Sequence, residues 1–195
     1  MIRTLAIAAA FSLVPAAAPA EIATESAPVA QPATPDVGLA LGQTVGDVSL
    51  IRSNGDAASL SDLMGANGVA LVFVRSADWC PYCKKQLKEI DDISDELAGL
   101  GWPLMAVSYD DPAILAEFSG KHGLGYELLS DPGSEAIRAF NLLNTDMKQG
   151  TRYYGIPHPA IFFVDTDRSI RAVLREDGYK DRPAMDIVLH IAEQL

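Results

Sequence analysis

Residues 69–83 read Val-Ala-Leu-Val-Phe-Val-Arg-Ser-Ala-Asp-Trp-Cys-Pro-Tyr-Cys. The opening run, Val69–Val74, is wholly apolar and rich in β-branched residues, which is typical of a strand covered on both faces. After Pro81, apolar residues recur at helical spacing, at Leu87, Ile90, Ile93 and Leu97. This spacing predicts a long amphipathic helix that runs to about Ala98. The two cysteines therefore lie at the junction between a buried strand and the helix that follows it.

The same alternation of strand and helix patterns continues along the chain. Further strands are predicted at 48–51, 103–109, 126–129, 160–164 and 170–174, and helices at 60–64, 111–121, 134–140 and 183–195. Alternation of this kind favours an α/β sandwich with a largely parallel core.

The first twenty residues have the pattern of a secretory signal peptide. Arg3 provides the positive start, Thr4–Val14 the apolar stretch and Ala18–Ala20 the small-residue cleavage site. We expect residues 1–20 to be removed, residues 21–40 to form an Ala/Pro-rich flexible linker, and residues 41–195 to form one domain. The protein is then periplasmic or secreted, with no stable membrane insertion after cleavage.

The charge balance of the chain limits the classes of partner that it is expected to bind. The chain has 15 Lys and Arg against 26 Asp and Glu, a net charge of −11. Loss of Arg3 with residues 1–20 leaves 14 − 26 = −12. Nucleic acid is not an expected partner, because binding to a phosphate backbone needs clustered positive charge.

Cys80 and Cys83 are the candidate catalytic residues. At the first turn of a helix, unpaired N–H groups and the helix dipole stabilise a thiolate, so Cys80 is the expected nucleophile. Cys83 lies one turn later on the same face and is the expected resolving cysteine, less exposed than Cys80. Pro81 suits the first helical position. The alternatives are a structural disulfide, or a metal site completed from the three histidines, His122, His158 and His190.

Two segments carry a resemblance to a known family. Residues 73–83, FVRSADWCPYC, with Gln86-Leu87 after them, and residues 157–165, PHPAIFFVD, resemble the redoxin branch of the thioredoxin superfamily. More narrowly, they are similar to peroxiredoxin-like (thiol-specific antioxidant) proteins that carry a WCPYC motif. The resemblance implies a thioredoxin-like three-layer α/β sandwich over residues 41–195, with a central mixed sheet flanked by helices.

The resemblance also implies residues that bind substrate or tune the cysteines. Pro159, or alternatively Pro157, would be a cis-proline whose backbone pairs with a substrate strand. His158 would then sit beside Cys80 and adjust its redox potential, the alternative being an ordinary surface histidine. Trp79 is expected to shield the disulfide and meet a partner, although it equally suits core packing. Pro81 and Tyr82, between the cysteines, are further candidates for binding substrate or tuning the pair, and Tyr82 resembles the residue that glutaredoxins have there.

Four positions depart from the family patterns. Peroxiredoxins place a Thr or Ser three residues before the peroxidatic cysteine and a Pro four before that, where this chain has Ala77 and Phe73. They place an Arg where Pro159 stands, and thioredoxins bury an Asp where Val74 stands. Ser76 and Arg75 are nearby substitutes for the missing peroxide-polarising groups, and Asp78 is expected in solvent. A different base must then deprotonate the second thiol, that of Cys83.

The sequence therefore predicts an exported thiol-disulfide oxidoreductase that exchanges disulfides through Cys80 and Cys83 and needs no cofactor. Its partners are protein or small-molecule thiols and disulfides, and an electron donor or acceptor. The alternatives are a thioredoxin-like peroxidase that uses Cys80 for peroxide and Cys83 for resolution, and a copper-handling assembly protein that uses both cysteines, with or without His158, as ligands. The long connection at 141–154 is either a substrate-facing flap or a surface loop, and the second is favoured.

Overall fold

The computed structural model describes residues 37–195, so the predicted signal peptide and most of the predicted linker lie outside the described residues. The strands are β1 Ser49–Arg52, β2 Ala57–Ser59, β3 Gly68–Phe73, β4 Leu104–Ser108, β5 Glu127–Ser130, β6 Ala160–Asp165 and β7 Ile170–Leu174. The helices are α1 Pro81–Glu89, α2 Ser94–Gly99, α3 Pro112–His122, α4 Glu135–Ala139 and α5 Met185–Gln194. Short 3-10 helices lie at Leu60–Leu63 and Ile90–Ile93.

The strands form one mixed sheet in the order β2-β1-β5-β4-β3-β6-β7. β3 pairs in parallel with β4, and β4 with β5, whereas the four other pairings are antiparallel. The expected mixed sheet is confirmed. The prediction of a largely parallel core holds only for β3, β4 and β5, because β6 enters beside β3 from the opposite direction.

β3 sits between the two apolar cores of the molecule. All six of its residues are buried, as its apolar run predicts. Ala70 and Val72 face the core formed with α1, α2, α3 and α5, while Leu71 and Phe73 face the core on the side of α4. This alternation is the two-residue period of a strand, and it places helices on both faces of the sheet. The three-layer arrangement is thereby confirmed.

The predicted long helix is interrupted. α1 ends at Glu89, a 3-10 turn follows, and α2 begins at Ser94. At this break the Asp91 carboxylate accepts the N–H of Gly125 at 2.8 Å, and the Ser94 hydroxyl donates to the Asp91 carbonyl at 2.9 Å. Asp and Ser side chains can bond to nearby backbone groups in place of the regular helical hydrogen bonds. The apolar residues keep their helical spacing here, while the backbone between α1 and α2 tightens into a 3-10 turn.

Between residues 37 and 195, no helix has the length and apolar character needed to span a bilayer.

Candidate functional site

The cysteine pair lies at the amino end of α1, directly after the loop that leaves β3. Cys80 and Cys83 form a disulfide, with their Cα atoms 5.3 Å apart. The N–H of Cys83 donates to the sulfur of Cys80 at 3.2 Å, and Pro81 occupies the start of the helix. Cys80 is only 2% exposed and Cys83 is fully buried. Reduction would therefore leave the Cys80 sulfur facing the free N–H end of the helix, where a thiolate is stabilised.

A buried carboxylate fixes the loop before the cysteines. Asp110 accepts hydrogen bonds from the Ser76 hydroxyl at 2.8 Å, the Ala77 N–H at 2.6 Å and the Ser108 hydroxyl at 3.0 Å. Burial raises the pKa of Asp110, and these hydrogen bonds oppose the rise. The Ser76 oxygen also accepts the N–H groups of Asp78 and Trp79. Ser76 is thus fully engaged in the loop, which removes it as a substitute for a peroxide-binding hydroxyl.

Cys80 opens onto a cavity of about 390 Å³. Its walls come from the cysteine loop, the start of α1, the 141–159 connection and the segment before α5, and they consist of Arg75, Trp79, Cys80, Pro81, Tyr82, Met147, Tyr153 and Tyr179. Cys80, Pro81, Tyr82 and Trp79 are brought together as predicted from the sequence. Tyr82 is 38% exposed and Tyr179 is 52% exposed, so the cavity has an accessible aromatic rim.

The 141–159 connection is tied to this cavity. The rings of Trp79 and Tyr153 meet edge to face with centroids 4.8 Å apart. The indole N–H of Trp79 donates to the Tyr109 hydroxyl, which in turn donates to the Arg152 carbonyl at 2.6 Å. Arg152 also lies 3.8 Å from Asp78, which is exposed as expected. Within the 141–154 segment, Met147 and Tyr153 line the cavity, so this segment does more than run over the surface as favoured from the sequence, and the paired tyrosines 153 and 154 could have indicated this.

Gly155 is the last residue of the flap, defined here as residues 141–155. Its φ of +101° belongs to a conformation that side chains disfavour, and a Cβ there would lie 2.6 Å from the Ser134 hydroxyl oxygen. The Ser134 hydroxyl donates to the Gly155 carbonyl at 2.8 Å. A glycine is therefore needed where the flap folds back towards Tyr153.

Two arginines surround the disulfide. The Arg75 guanidinium lies 5.4 Å from the Trp79 ring and 4.8 Å from the Tyr179 ring, and its buried Nε has no hydrogen-bond acceptor among residues 37–195. Arg182 places Nη2 at 3.6 Å from the sulfur of Cys83. Burial lowers the pKa of Arg182, and the positive charge of Arg75 lowers it further. The sequence analysis missed Arg182, which is 99 positions from Cys83 in a polar segment without a motif.

His158 and Pro159 lie beside a second, smaller cavity. This space of about 190 Å³ is lined by Asn144, Asp146, His158, Pro159, Arg175, Glu176, Asp177 and Tyr179. Burial lowers the pKa of His158, with a further contribution from the charge of Arg175. Tyr179 borders both cavities, whereas His158 does not line the one that contains Cys80. The structure therefore does not bring His158 into the cavity that contains Cys80.

The expected cis-proline is wrong. All peptide bonds in the described part of the chain are trans, including those before Pro157 and Pro159. The N–H of His158 donates to the Leu142 carbonyl at 2.7 Å, and Pro157 pairs with Leu143 in an isolated antiparallel bridge. This extended pairing with the flap suits the trans isomer, which is intrinsically favoured by about 0.5–1 kcal/mol.

Within the described range, no three or more His, Cys, Asp or Glu side chains cluster so as to hold a metal ion. His158, the optional third ligand of the copper hypothesis, lines a different cavity from Cys80.

The chain combines a thioredoxin-like three-layer fold with a disulfide at a strand-to-helix junction. A family model described as the AhpC/TSA family matches residues 41–173, the greater part of the chain. The chain belongs to the AhpC/TSA family.

The similar proteins are peroxiredoxins. The chain is 29% identical over 149 residues to the "Putative peroxiredoxin bcp" of Haemophilus influenzae, covering 76% of this chain and 94% of that one. It is 28% identical over 141 residues to the "1-Cys peroxiredoxin B" of Oryza sativa subsp. indica, covering 69% of this chain but only 63% of the rice protein. The structure of "Peroxidoxin BcpB" from Mycobacterium tuberculosis is similar with a TM-score of 0.67 and 25% identity, covering 82% and 98% of the two chains.

Proposed function

We propose that the protein is a thiol peroxidase, with Cys80 as the peroxidatic and Cys83 as the resolving cysteine. The Cys80 thiolate attacks the peroxide oxygen, the O–O bond breaks, and a sulfenic acid and an alcohol or water are formed. Cys83 then attacks the Cys80 sulfur, which gives the disulfide and releases water. An external thiol donor reduces the disulfide and completes the cycle.

The observation that carries this proposal is the placement of Arg75 in the Cys80 cavity. Arg75 lines this cavity together with Cys80, and its guanidinium lies 5.4 Å and 4.8 Å from the Trp79 and Tyr179 rings that also line it. A fixed positive charge in the cavity favours a ligand whose oxygen gains negative charge during the reaction, as a peroxide does. Arg75 thereby takes over the role for which the family pattern has an Arg in the position of Pro159.

Charge development during the reaction supports the same assignment. Negative charge moves from the Cys80 sulfur to the departing oxygen as the O–O bond breaks. The N–H of Cys83 faces the sulfur, and the Arg75 guanidinium contributes positive charge in the same cavity. Donors aimed at developing charge are worth most in a site that excludes water, and Cys80 is almost fully buried.

Stopped-flow oxidation of the reduced protein by hydrogen peroxide, and by an organic hydroperoxide, tests the proposal. We expect Cys80 to react much faster than a free cysteine thiolate at the same pH. Arg75→Met should lower the rate by about 10²-fold, the cost of removing one such donor. Arg171→Met is the matched control, because Arg171 lies on β7, pairs with Asp165 of β6 and does not line the cavity. A parent rate equal to that of a free thiolate would refute the peroxidase.

Disulfide exchange with protein partners is the second candidate, and the exposed aromatic rim of the cavity favours it. Tyr82, Tyr153 and Tyr179 are 38%, 41% and 52% exposed around the buried disulfide. Exposed aromatics of this kind are typical of protein interfaces. Under this function, Cys83→Ser leaves Cys80 in mixed disulfides with partner proteins. Mass spectrometry of cysteine-linked adducts, with Cys80→Ser as control, separates the two functions.

Export is a proposal that rests on residues 1–20 alone. If these residues are a cleaved signal peptide, the mature chain begins at Glu21. Intact-mass measurement of the protein from the periplasmic fraction would show this start, and a chain that retains Met1 in the cytoplasm would contradict it.

A further inference from the structure

The sulfur of Cys83 has an unusual environment for a resolving cysteine. Cys83 is fully buried, yet its sulfur accepts a hydrogen bond from Nη2 of Arg182 at 3.6 Å. The position from which a thioredoxin carboxylate would deprotonate this thiol holds Val74, which has no proton acceptor. A buried thiol in apolar surroundings normally resists ionisation, so an adjacent cation changes its chemistry.

Arg182 is held in this position by its other contacts. Nε donates to Oε1 of Gln86 at 2.6 Å, and Gln86 is itself only 1% exposed on α1. Nη1 donates to the carbonyls of Tyr179 and Asp181, at 2.8 and 2.6 Å. These bonds leave Nη2 directed at the Cys83 sulfur. The guanidinium is thus oriented before any reaction takes place, which reduces the entropy lost in forming the contact.

The positive charge of Arg182 is not balanced by an ion pair. Among residues 37–195, no carboxylate lies within ion-pair distance of its guanidinium. Arg75 adds like charge nearby, and both burial and this charge lower the pKa of Arg182. An anion at the Cys83 sulfur would relieve this unfavourable arrangement.

We propose that Arg182 stabilises Cys83 as a thiolate in the reduced protein, and so activates the resolving cysteine without a general base. The Cys83 thiolate attacks the sulfur of the Cys80 sulfenic acid, the S–S bond forms and the S–O bond breaks. Hydroxide leaves and takes a proton from solvent to become water, so no further oxidant or reductant is needed. The resolution step rests on the proposed peroxidase, whereas the ionisation of Cys83 does not.

Other charged groups surround the cysteine pair without contacting the Cys83 sulfur. On the elements that carry or adjoin the pair they are Arg75 and Asp78 in the loop after β3, Lys84 on α1, Tyr109 and Asp110 after β4, His158 before β6, and Asp181 next to Arg182, and none of them has a hydrogen bond to the Cys83 sulfur. Asp110 is engaged by Ser76, Ala77 and Ser108, and Asp78 lies 3.8 Å from Arg152. Arg182 is therefore the charged group expected to dominate the ionisation of Cys83.

The ionisation is tested in the Cys80→Ser protein, where Cys83 is the single thiol. Thiolate absorbance is followed against pH. We expect the pKa of Cys83 to lie below the ordinary value of about 8.5 for cysteine. Arg182→Met should raise this pKa by at least about one unit, because the cation that favours the thiolate is lost. Arg182→Lys should retain most of the effect by keeping the charge.

Two controls make the result specific. Arg175→Met removes a positive charge from the same segment, at an exposed side chain without a recorded hydrogen bond, and should leave the pKa of Cys83 unchanged. Arg182→Gln keeps an amide that can pair with Gln86, and serves if Arg182→Met fails to fold. An unchanged pKa of Cys83 in a folded neutral Arg182 variant overturns the proposal.

A single-turnover experiment separates this inference from the proposed function. After one equivalent of peroxide, dimedone captures the Cys80 sulfenic acid in protein with both cysteines. Arg182→Met should increase the captured fraction at neutral pH and lose this difference at alkaline pH, where Cys83 ionises unaided. Absence of reaction with peroxide would defeat the peroxidase alone, while rapid oxidation with unchanged capture in Arg182→Met would defeat the role of Arg182 alone.

Discussion

The indole N–H of Trp79 donates a hydrogen bond of 3.0 Å to the hydroxyl of Tyr109. Trp79 immediately precedes Cys80, and Tyr109 immediately follows β4, so this bond joins the cysteine loop to the next strand of the sheet. The Tyr109 hydroxyl then donates to the Arg152 carbonyl, which extends the connection to the flap. Three segments that are distant in sequence are thus held together through one phenol oxygen.

Tyr109→Phe should loosen this connection. The ring is kept while both hydrogen bonds are lost, so the free energy of unfolding should fall by about 1–2 kcal/mol. Amide hydrogen exchange should increase across 147–154, the part of the flap that contacts Trp79. Tyr154→Phe is the matched control, because Tyr154 is partly exposed and its hydroxyl bonds with Gln149 and Arg138 rather than with Trp79. Equal exchange in parent and Tyr109→Phe proteins would contradict this role.

Gly155→Ala should destabilise the fold and displace the flap. The positive φ and the close Ser134 oxygen both oppose a methyl group, so we expect a loss of more than about 1 kcal/mol in urea unfolding. Gly120→Ala is the control, since Gly120 lies on the exposed face of α3 and a Cβ there meets nothing within 4 Å. That substitution should stabilise the protein by about 0.5–1 kcal/mol. Similar losses at both glycines would argue against the strain at Gly155.

His158 should make stability depend on pH. Its pKa lies below the ordinary value of 6.5, chiefly because burial disfavours the charged imidazole. The unfolded chain therefore binds the proton more readily, and the stability contributed by neutral His158 is present above 6.5 and lost as pH falls through the folded pKa. Urea unfolding at a series of pH values checks this. The stability of the parent relative to His158→Gln should fall on acidification, and a constant difference would refute it.

Arg175 provides an independent check on the same histidine. Its positive charge is the second cause of the low pKa of His158. Arg175→Met should therefore raise the pKa of His158, as measured by NMR titration of the imidazole. Arg171→Met keeps Arg175 in place and should change the titration less, while an unchanged pKa in Arg175→Met would show that burial alone is responsible.

The position of the cysteine pair could be predicted because it depends on local patterns. The apolar run of β3 and the 3.6-residue period after Pro81 place Cys80 at their junction without any knowledge of the rest of the fold. The boundary between α1 and α2 depends instead on Asp91 bonding to Gly125, 34 positions away. No pattern within the helix itself contains that information.

The residues that form the cavity walls could not be predicted either, because their positions also depend on contacts between segments distant in sequence. Tyr153, Tyr179 and Arg182 reach the disulfide from connections whose paths are set by long-range pairing. The peptide bonds before Pro157 and Pro159 illustrate this point, because both are trans where the family resemblance implied a cis bond. This segment makes antiparallel contacts with Leu142 and Leu143, which the local sequence does not reveal. Long polar connections that contain aromatic residues were the clue available in the sequence.

The two sulfurs and the cavity walls that face them are carried by different parts of the molecule. The disulfide rests on the junction of β3 and α1, while the walls come from the flap and from the segment between β7 and α5. Insertions or deletions in these two connections would reshape access to the sulfurs and leave the sheet intact. Under the proposed function, changes in these connections would alter substrate preference while the Cys80–Cys83 bond keeps its place.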